Sequence, residues 1–499
     1  WLLGTTAQTH TLQDHAKLKL AYDFSPTLRA SYTLGWWRND AVRASDTYLR
    51  DAGGNPVYSG SVNIDGRTYS VAATDFAPSH GDLQHFIHGL SLKSATGGLW
   101  DWEVAASLYD YDRDEVRMPT VALPNAATGG AGRITDQSGT GWNTLALKAT
   151  WRPGEGAHIV DFGYQRDSYQ LRTLVSNTLD WLEGQAASRF SAFHGDTQMQ
   201  SLYAQDTWQF APLWRATLGL RAEDWRASDG SIANATSTLT FPERSETWFS
   251  PKAAIAWQFA PQWSLKASLG RAIRTPTVAE LYQGSISTNV IVNNDPDLQP
   301  EKSWTAELTA QRSLDRGALR ATIFHEDTRD ALYSQTNVTV TPSVTSIQNV
   351  DHIRTTGAEI AYEVADLGVS GLDVSTSVTC AHSRIVANDN FPASVGKWQP
   401  RVPDWRANVL ATYRIGEKWV TTLGARYSGQ QYNTLDNSDP NGMAYTGVSN
   451  FFTVDARLRY RITEQVTASL SADNLNGDNY WNFHHYPQRS YAAEVNVDF

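Results

Sequence analysis

The sequence predicts an all-β fold, one large antiparallel β-barrel that crosses a membrane, and three observations carry that prediction. Apolar and polar residues alternate strictly over about ten residues at a time, along almost the whole chain. Short and long connections take turns between those segments. No stretch approaches the roughly 20 apolar residues that a spanning helix needs, and mean hydropathy is -0.42. A barrel strand escapes that test because only alternate residues face lipid.

The alternation is clearest in three segments. In 214–224, Trp214, Ala216, Leu218, Leu220 and Ala222 alternate with Arg215, Thr217, Gly219, Arg221 and Glu223. In 262–272, Trp263, Leu265, Ala267 and Leu269 alternate with Ser264, Lys266, Ser268 and Gly270. In 451–462, Phe452, Val454, Ala456, Leu458, Tyr460 and Ile462 alternate with Thr453, Asp455, Arg457, Arg459 and Arg461. Ten residues at about 3.3 Å each, tilted near 45°, span roughly 23 Å, the height of an outer-membrane apolar band.

Short turns are expected at Phe24–Thr27, Ala95–Gly98, Pro153–Gly156, Ala211–Leu213, Ala260–Gln262, Asp315–Gly317, Asp366–Gly371, Gly416–Glu417 and around Glu464. Longer polar loops are expected near 40–82, 112–141, 175–196, 228–244, 273–300, 331–344, 386–403, 432–448 and 477–488. That rhythm gives about 19 strands with short turns on the inner side and long loops outside. An arginine on the lipid face at mid-bilayer costs about 2–4 kcal/mol, so Arg457, Arg459 and Arg461 are expected in the lumen, with Val454, Ala456, Leu458 and Ile462 toward lipid. Trp151, Trp208, Trp257, Trp263 and Trp419 lie near strand ends and fit interfacial girdles.

Parity carries one more expectation. The first and last clear strands run in the same direction, whereas closed bacterial barrels have even strand numbers. Residues 1–499 are therefore expected to be one barrel domain whose first strands lie upstream.

Chemistry is sparse. The 19 Trp and 21 Tyr stand out, and Cys380 is the single cysteine, which excludes a disulfide framework and a thiolate metal cage. The net charge of -11 argues against nucleic acid as a partner. No nucleophile–base motif, zinc-binding helix motif or phosphate-binding loop occurs, so no enzyme is expected. His80, His85, His88, His484 and His485 read as polar surface, because no carboxylate or thiol partner stands at a fixed spacing.

The informative stretch is 249–312. Pro276, Pro296 and Pro300 block regular pairing and shape a structured outer loop. Glu280 and Glu301 are available to pair with Arg271 and Arg274. One reading is a rigid, salt-bridged loop base. The other is that the two arginines draw an anionic ligand to the mouth.

These residues carry a family resemblance. Ser250-Pro251-Lys252, Arg274-Thr275-Pro276-Thr277, Glu280-Leu281-Tyr282 and Asp295-Pro296-Asp297-Leu298-Gln299-Pro300-Glu301 resemble the ordered boxes of TonB-dependent outer-membrane receptors. Arg354-Thr-Thr-Gly-Ala-Glu359, Pro400-Arg-Val-Pro403-Asp404 and Asp473 to Tyr480 continue it, and the C-terminus ends on Phe499 after alternating apolar residues. The resemblance implies a barrel of about 22 strands. It also implies an N-terminal plug with a TonB box upstream of Trp1, and residence in the bacterial outer membrane among lipid and lipopolysaccharide. The implied activity is TonB-energised import by a monomer of a scarce nutrient, a ferric siderophore first, with iron only as part of the cargo. Haem receptors of this kind carry a His between the two boxes, and 277–293 has none. That lowers haem, which stays open as an alternative with cobalamin and a passive porin. Tyr48, Arg50, Tyr58, Arg67, Arg271, Arg274, Tyr282, Trp398 and Tyr432 are the candidate vestibule for an anionic iron chelate.

Overall fold

A computed structural model describes residues 3–498 apart from 65, 155, 287–289, 338–342, 440, 441, 445 and 446. Phe499 lies outside the described residues. One sheet of 23 strands dominates. Four of these are short loop strands, and the other nineteen form an antiparallel meander in chain order. They are β1 (Gly4–Ser25), β2 (Leu28–Thr47), β3 (Ser79–Ser94), β4 (Trp100–Pro119), β5 (Gly141–Trp151), β6 (His158–Thr178), β7 (Arg189–Ala211), β8 (Trp214–Asn234), β9 (Arg244–Ala260) and β10 (Trp263–Arg274). There follow β11 (Glu301–Leu314), β12 (Gly317–Asn337), β13 (Ser343–Val364), β14 (Leu372–Ala387), β15 (Trp405–Ile415), β16 (Trp419–Ser428), β17 (Phe451–Arg461), β18 (Val466–Asp473) and β19 (Ser490–Val497). Each expected short turn falls between two of these strands, and each expected loop falls between the next two. Among the described residues β1 is laddered only to β2, and β19 only to β18.

The ladders reach further than the sequence segments suggested. β7 has 23 residues and β13 has 22, about twice the length needed to cross the apolar band. The β12–β13 pairing continues up to Asn337↔Val344, so most of 331–344 is strand rather than loop. Above the membrane both faces of a strand can be polar, and the period-2 signal disappears while the backbone pairing continues.

The two faces follow the expected logic. Phe452, Leu458, Leu470 and Val495 are exposed toward lipid. On the other face Arg426 pairs with Asp455 at 3.1 Å and Arg457 with Glu494 at 2.8 Å. At the short-turn end an outward belt of rings forms. Trp100 stacks on Trp151 at 5.8 Å, Trp214 on Trp257 at 5.1 Å and His158 on Trp208 at 5.5 Å, and Trp419 tilts against Tyr460 at 4.3 Å. Amphipathic rings at that height match the membrane–water boundary.

One seam in the wall is split. β9 pairs with β8 as far as Arg244, but its ladder to β10 stops at Lys252↔Gly270. Pro251 stands beside that break and has no N–H to offer a neighbour. Above it β10 continues only with β11, up to Arg274↔Glu301.

Candidate functional site

Beyond this split seam residues 275–284 and 294–300 fold onto the wall at β6, β7 and β8, and their local structure follows from their sequence. Thr277 caps the short helix α1 (Val278–Tyr282): its hydroxyl accepts from the Glu280 N–H at 3.2 Å, and the Glu280 carboxylate accepts from the Thr277 N–H at 2.8 Å. That reciprocal pair satisfies two donors which a helix start leaves orphaned. Arg274 donates to the other Glu280 oxygen at 2.7 Å.

The helix then turns its apolar residues onto the wall. Leu281 is fully buried and Tyr282 is 1 % exposed, in a cluster with Leu171, Trp225, Ala227, Trp248 and Leu298. The Tyr282 ring lies against Gly195 and Gly230. A Cβ at either position would stand 2.2 or 2.3 Å from it, so only glycine leaves the space. Burial pushes the Tyr282 phenol up from its ordinary pKa, which keeps it neutral. Arg244 ties the second box down, donating to the carbonyls of Pro296 at 2.5 Å and Leu298 at 3.1 Å. Glu301 accepts from the Leu332 N–H at 3.2 Å, and Pro276 and Pro300 are fully buried. The boxes thus build a rigid loop base, the first of the two readings. Tyr282 is an anchor of that base and offers no ring to a ligand.

The remaining vestibule candidates scatter. Arg271 is the clearest correction. Its register partner is Trp304 and it shares a face with Leu269, so it points outward; Nη1 bridges the split seam to the Phe249 carbonyl at 3.2 Å. Trp398 also faces out, its ring 3.7 Å from the Arg384 guanidinium carbon. Arg354 lies outward beside Asp327 at 3.7 Å, whereas Glu359 on the opposite face accepts from Thr379 at 3.0 Å. Arg50 is spent on the Thr47 and Leu49 carbonyls, Tyr48 is exposed, and Tyr58 meets Phe76 edge-on at 5.6 Å. Arg67 opens a small hairpin strand, and its side chain lies outside the described ones. The half-buried Tyr432 accepts from the Arg401 N–H at 2.9 Å through its backbone carbonyl.

What the structure does assemble is a row of rings on the lumenal face of five consecutive strands. Trp37 on β2 meets His85 on β3 at 5.1 Å. His85 stacks on Tyr111 of β4 at 4.0 Å. Tyr109 of β4 stacks on Trp142 of β5 at 4.3 Å, the planes 3° apart. Trp142 has Tyr169 of β6 as its register partner. The Ser31–Ser91 and Ser107–Thr144 hydroxyl pairs lie on the same face, while Leu90, Leu108 and Leu147 are exposed on the other. His85, read from sequence as polar surface, is 7 % exposed, with Nε2 3.0 Å from Asp114 and Nδ1 3.0 Å from the Tyr109 hydroxyl. Both ring nitrogens are occupied, so it holds the row in place rather than ligating a metal. Among the described residues no group of three His, Cys, Asp or Glu is placed to hold a metal ion. The row was legible only as period-2 aromatics, a pattern shared with rings that face lipid.

A sequence model described as TonB dependent receptor-like, beta-barrel, matches residues 10–475. The chain belongs to that family. It is an outer-membrane β-barrel. The iron-regulated outer membrane virulence protein of Vibrio cholerae is 23% identical over 352 residues, 67% of this chain and 47% of that protein. The chain thus spans about half the length of the curated relatives it matches. Among solved structures, the siderophore receptor PiuA from Acinetobacter baumannii superposes with a TM-score of 0.69 at 16% identity, covering 99% of this chain and 76% of that one. The ferric citrate transporter FecA gives 0.71 at 15% identity, over 98% and 70%. At these identities the structural likeness speaks for the fold of the TonB-dependent receptor barrel.

Proposed function

We propose that the intact protein imports a ferric siderophore across the outer membrane, energised through TonB, and that the chelate is received against the lumenal ring row Trp37, Tyr109, Tyr111, Trp142 and Tyr169. The observation that carries this reading is the row itself. Stacked rings facing a polar lumen below the long loops offer flat apolar surface to a chelate that hides its metal. The names of the relatives, iron-regulated and siderophore receptor, point to the same cargo class. In this reading the barrel performs no covalent chemistry and holds no resident cofactor; the iron travels as cargo. A plug and its TonB box, outside these 499 residues, complete the site and transmit the pull. Haem is a weaker cargo, because 277–293 lacks a histidine and both His85 nitrogens are already bonded. The row gives a passive porin no advantage, and cobalamin is separated by the same binding experiment.

The test is quenching of intrinsic fluorescence of the full-length receptor by ferric siderophores, haem and cobalamin, followed by iron uptake in cells. Trp142→Ala is expected to weaken the bound chelate roughly tenfold, the scale of one lost ring pair plus its buried area. Unchanged affinity in Trp142→Ala and Tyr169→Ala together would remove the row from the site.

A further inference from the structure

We propose that Tyr109 is a specificity-determining residue of the ring row: its hydroxyl proton is committed to His85, so toward the lumen it offers only an acceptor and selects a cargo that presents an N–H or O–H donor there. The inference rests on the reading that the row receives the cargo. A β-bulge makes the arrangement. His85 pairs with Tyr111 and Gln84 with Arg113, so Asp112 is the extra residue on β4. The alternation of faces shifts there by one. Asp114, whose partner Leu83 stands two residues from His85, thereby lands on the same lumenal face as Tyr109 and Tyr111.

The proton positions follow from what each group can donate. Asp114 is 5 % exposed; its N–H donates to the Ser138 hydroxyl at 3.1 Å, and its carbonyl accepts from the Gln137 N–H at 2.8 Å. Its carboxylate can only accept, so His85 Nε2, 3.0 Å away, carries the hydrogen. A neutral imidazole has one N–H, which leaves Nδ1 as a bare lone pair 3.0 Å from the Tyr109 oxygen. The phenol therefore donates to it. Tyr111 lies flat on the imidazole at 4.0 Å and Trp37 stands at 5.1 Å, which holds the ring against turning over. Asp114 and His85 are positioning residues, and both act through Tyr109. The other hydroxyls of the row carry no such commitment. Those of Tyr111 and Tyr169 have no hydrogen-bond partner among the described residues, so each can turn to donate or to accept. On the outward face Tyr32 meets His88 Nδ1 at 2.8 Å, yet no carboxylate among the described residues stands behind that imidazole to fix its tautomer.

The test uses the full-length receptor in detergent at about pH 8, where an ordinary imidazole is neutral. Quenching of intrinsic fluorescence compares two probes, ferric tris(acetohydroxamate), which carries N–H groups, and ferric tris(N-methylacetohydroxamate), which carries none. The wild type is expected to bind the first roughly tenfold more tightly, the scale of one hydrogen bond. Asp114→Asn turns an amide N–H toward Nε2, which moves the ring hydrogen to Nδ1 and frees the Tyr109 proton for the lumen. The preference should then vanish or reverse, and Tyr109→Phe should abolish it without reversal. Imidazole nitrogen shifts in NMR of isotope-labelled receptor, assigned by their loss in His85→Gln, report the tautomer itself. Nε2 should be protonated in the wild type and Nδ1 in Asp114→Asn, a change that a merely structural role would not produce. The wild-type preference and tautomer need no variant, so they decide even if Asp114→Asn loses its heat-modifiable fold. Equal binding of the two probes by the wild type, an unchanged preference in Asp114→Asn, or a wild-type His85 protonated at Nδ1 would each overturn the proposal. Failure of the underlying reading looks different and removes this proposal with it: the tautomer stands, but neither probe binds or Trp142→Ala leaves both affinities unchanged.

Discussion

Tyr282 shows how one residue can look like a ligand contact and prove to be a fastener. Its ring occupies space that exists because Gly195 and Gly230 lack a Cβ. Gly195→Ala therefore has to displace either the ring or the strand, at a cost of about 1–3 kcal/mol for overpacking a close-packed site. The expected result is release of the 275–300 loop to protease at a dose that leaves the wild-type loop intact, with the barrel still heat-modifiable. If the loop stays equally resistant, the ring does not hold it down. The lumenal rings are the opposite case, because no local pattern separated them from lipid-facing aromatics. Tyr109 and Leu108 are adjacent in sequence yet serve opposite faces. Only the phase of the alternation across several strands tells which one the cargo would meet.

At the scale of elements the sequence was most legible where lipid imposes alternation. Nineteen strands and their turns follow from period 2, since a misplaced register would put charges such as Arg457 into hydrocarbon. The same parity would have turned Arg271 outward, two residues beyond Leu269; reading it as a mouth residue followed the motif and ignored the strand's phase. The split seam beside Pro251 was not legible, because a proline shows a missing donor without showing what replaces it. Two elements can be probed separately. Thr277→Ala removes the cap of α1 at about 1 kcal/mol and should speed amide exchange at Leu281 and Gln283 roughly fivefold, with the strands unaffected. At the opposite end, in the 365–371 turn, Asp366 is held below the usual carboxylate range, first by the Gly371 N–H and then by Arg316 and Arg414. A depressed folded pKa means that this stabilisation is present above the ordinary value of 3.8 and is lost as pH falls through the folded value. Asp366→Asn should therefore lower thermal stability at neutral pH and converge with wild type on acidification below that range. A constant difference at all pH values would show that the carboxylate's charge is not what secures the turn.

For the whole molecule the decisive number is the parity of the sheet. Nineteen meander strands cannot close an antiparallel barrel edge to edge, because the two outermost strands run the same way. β1 and β19 each carry one ladder among the described residues, so the N–H and C=O groups on the outer edge of each have no neighbouring strand among them. Inside a bilayer each such group costs several kcal/mol, so an open edge is not a stable membrane state. The family barrel of about 22 strands would supply three strands between these edges, restoring even parity and both ladders. The matched relatives are about twice as long as the aligned stretch, which leaves room for those strands and a plug. The expected outcome is an intact mass, for the protein purified from native outer membranes, well above the 55.3 kDa of this chain. Peptides from upstream of Trp1 should include further period-2 segments. A mature protein beginning at Trp1 would require the two edges to be satisfied by a partner chain instead, and would take the plug, and TonB with it, out of the mechanism.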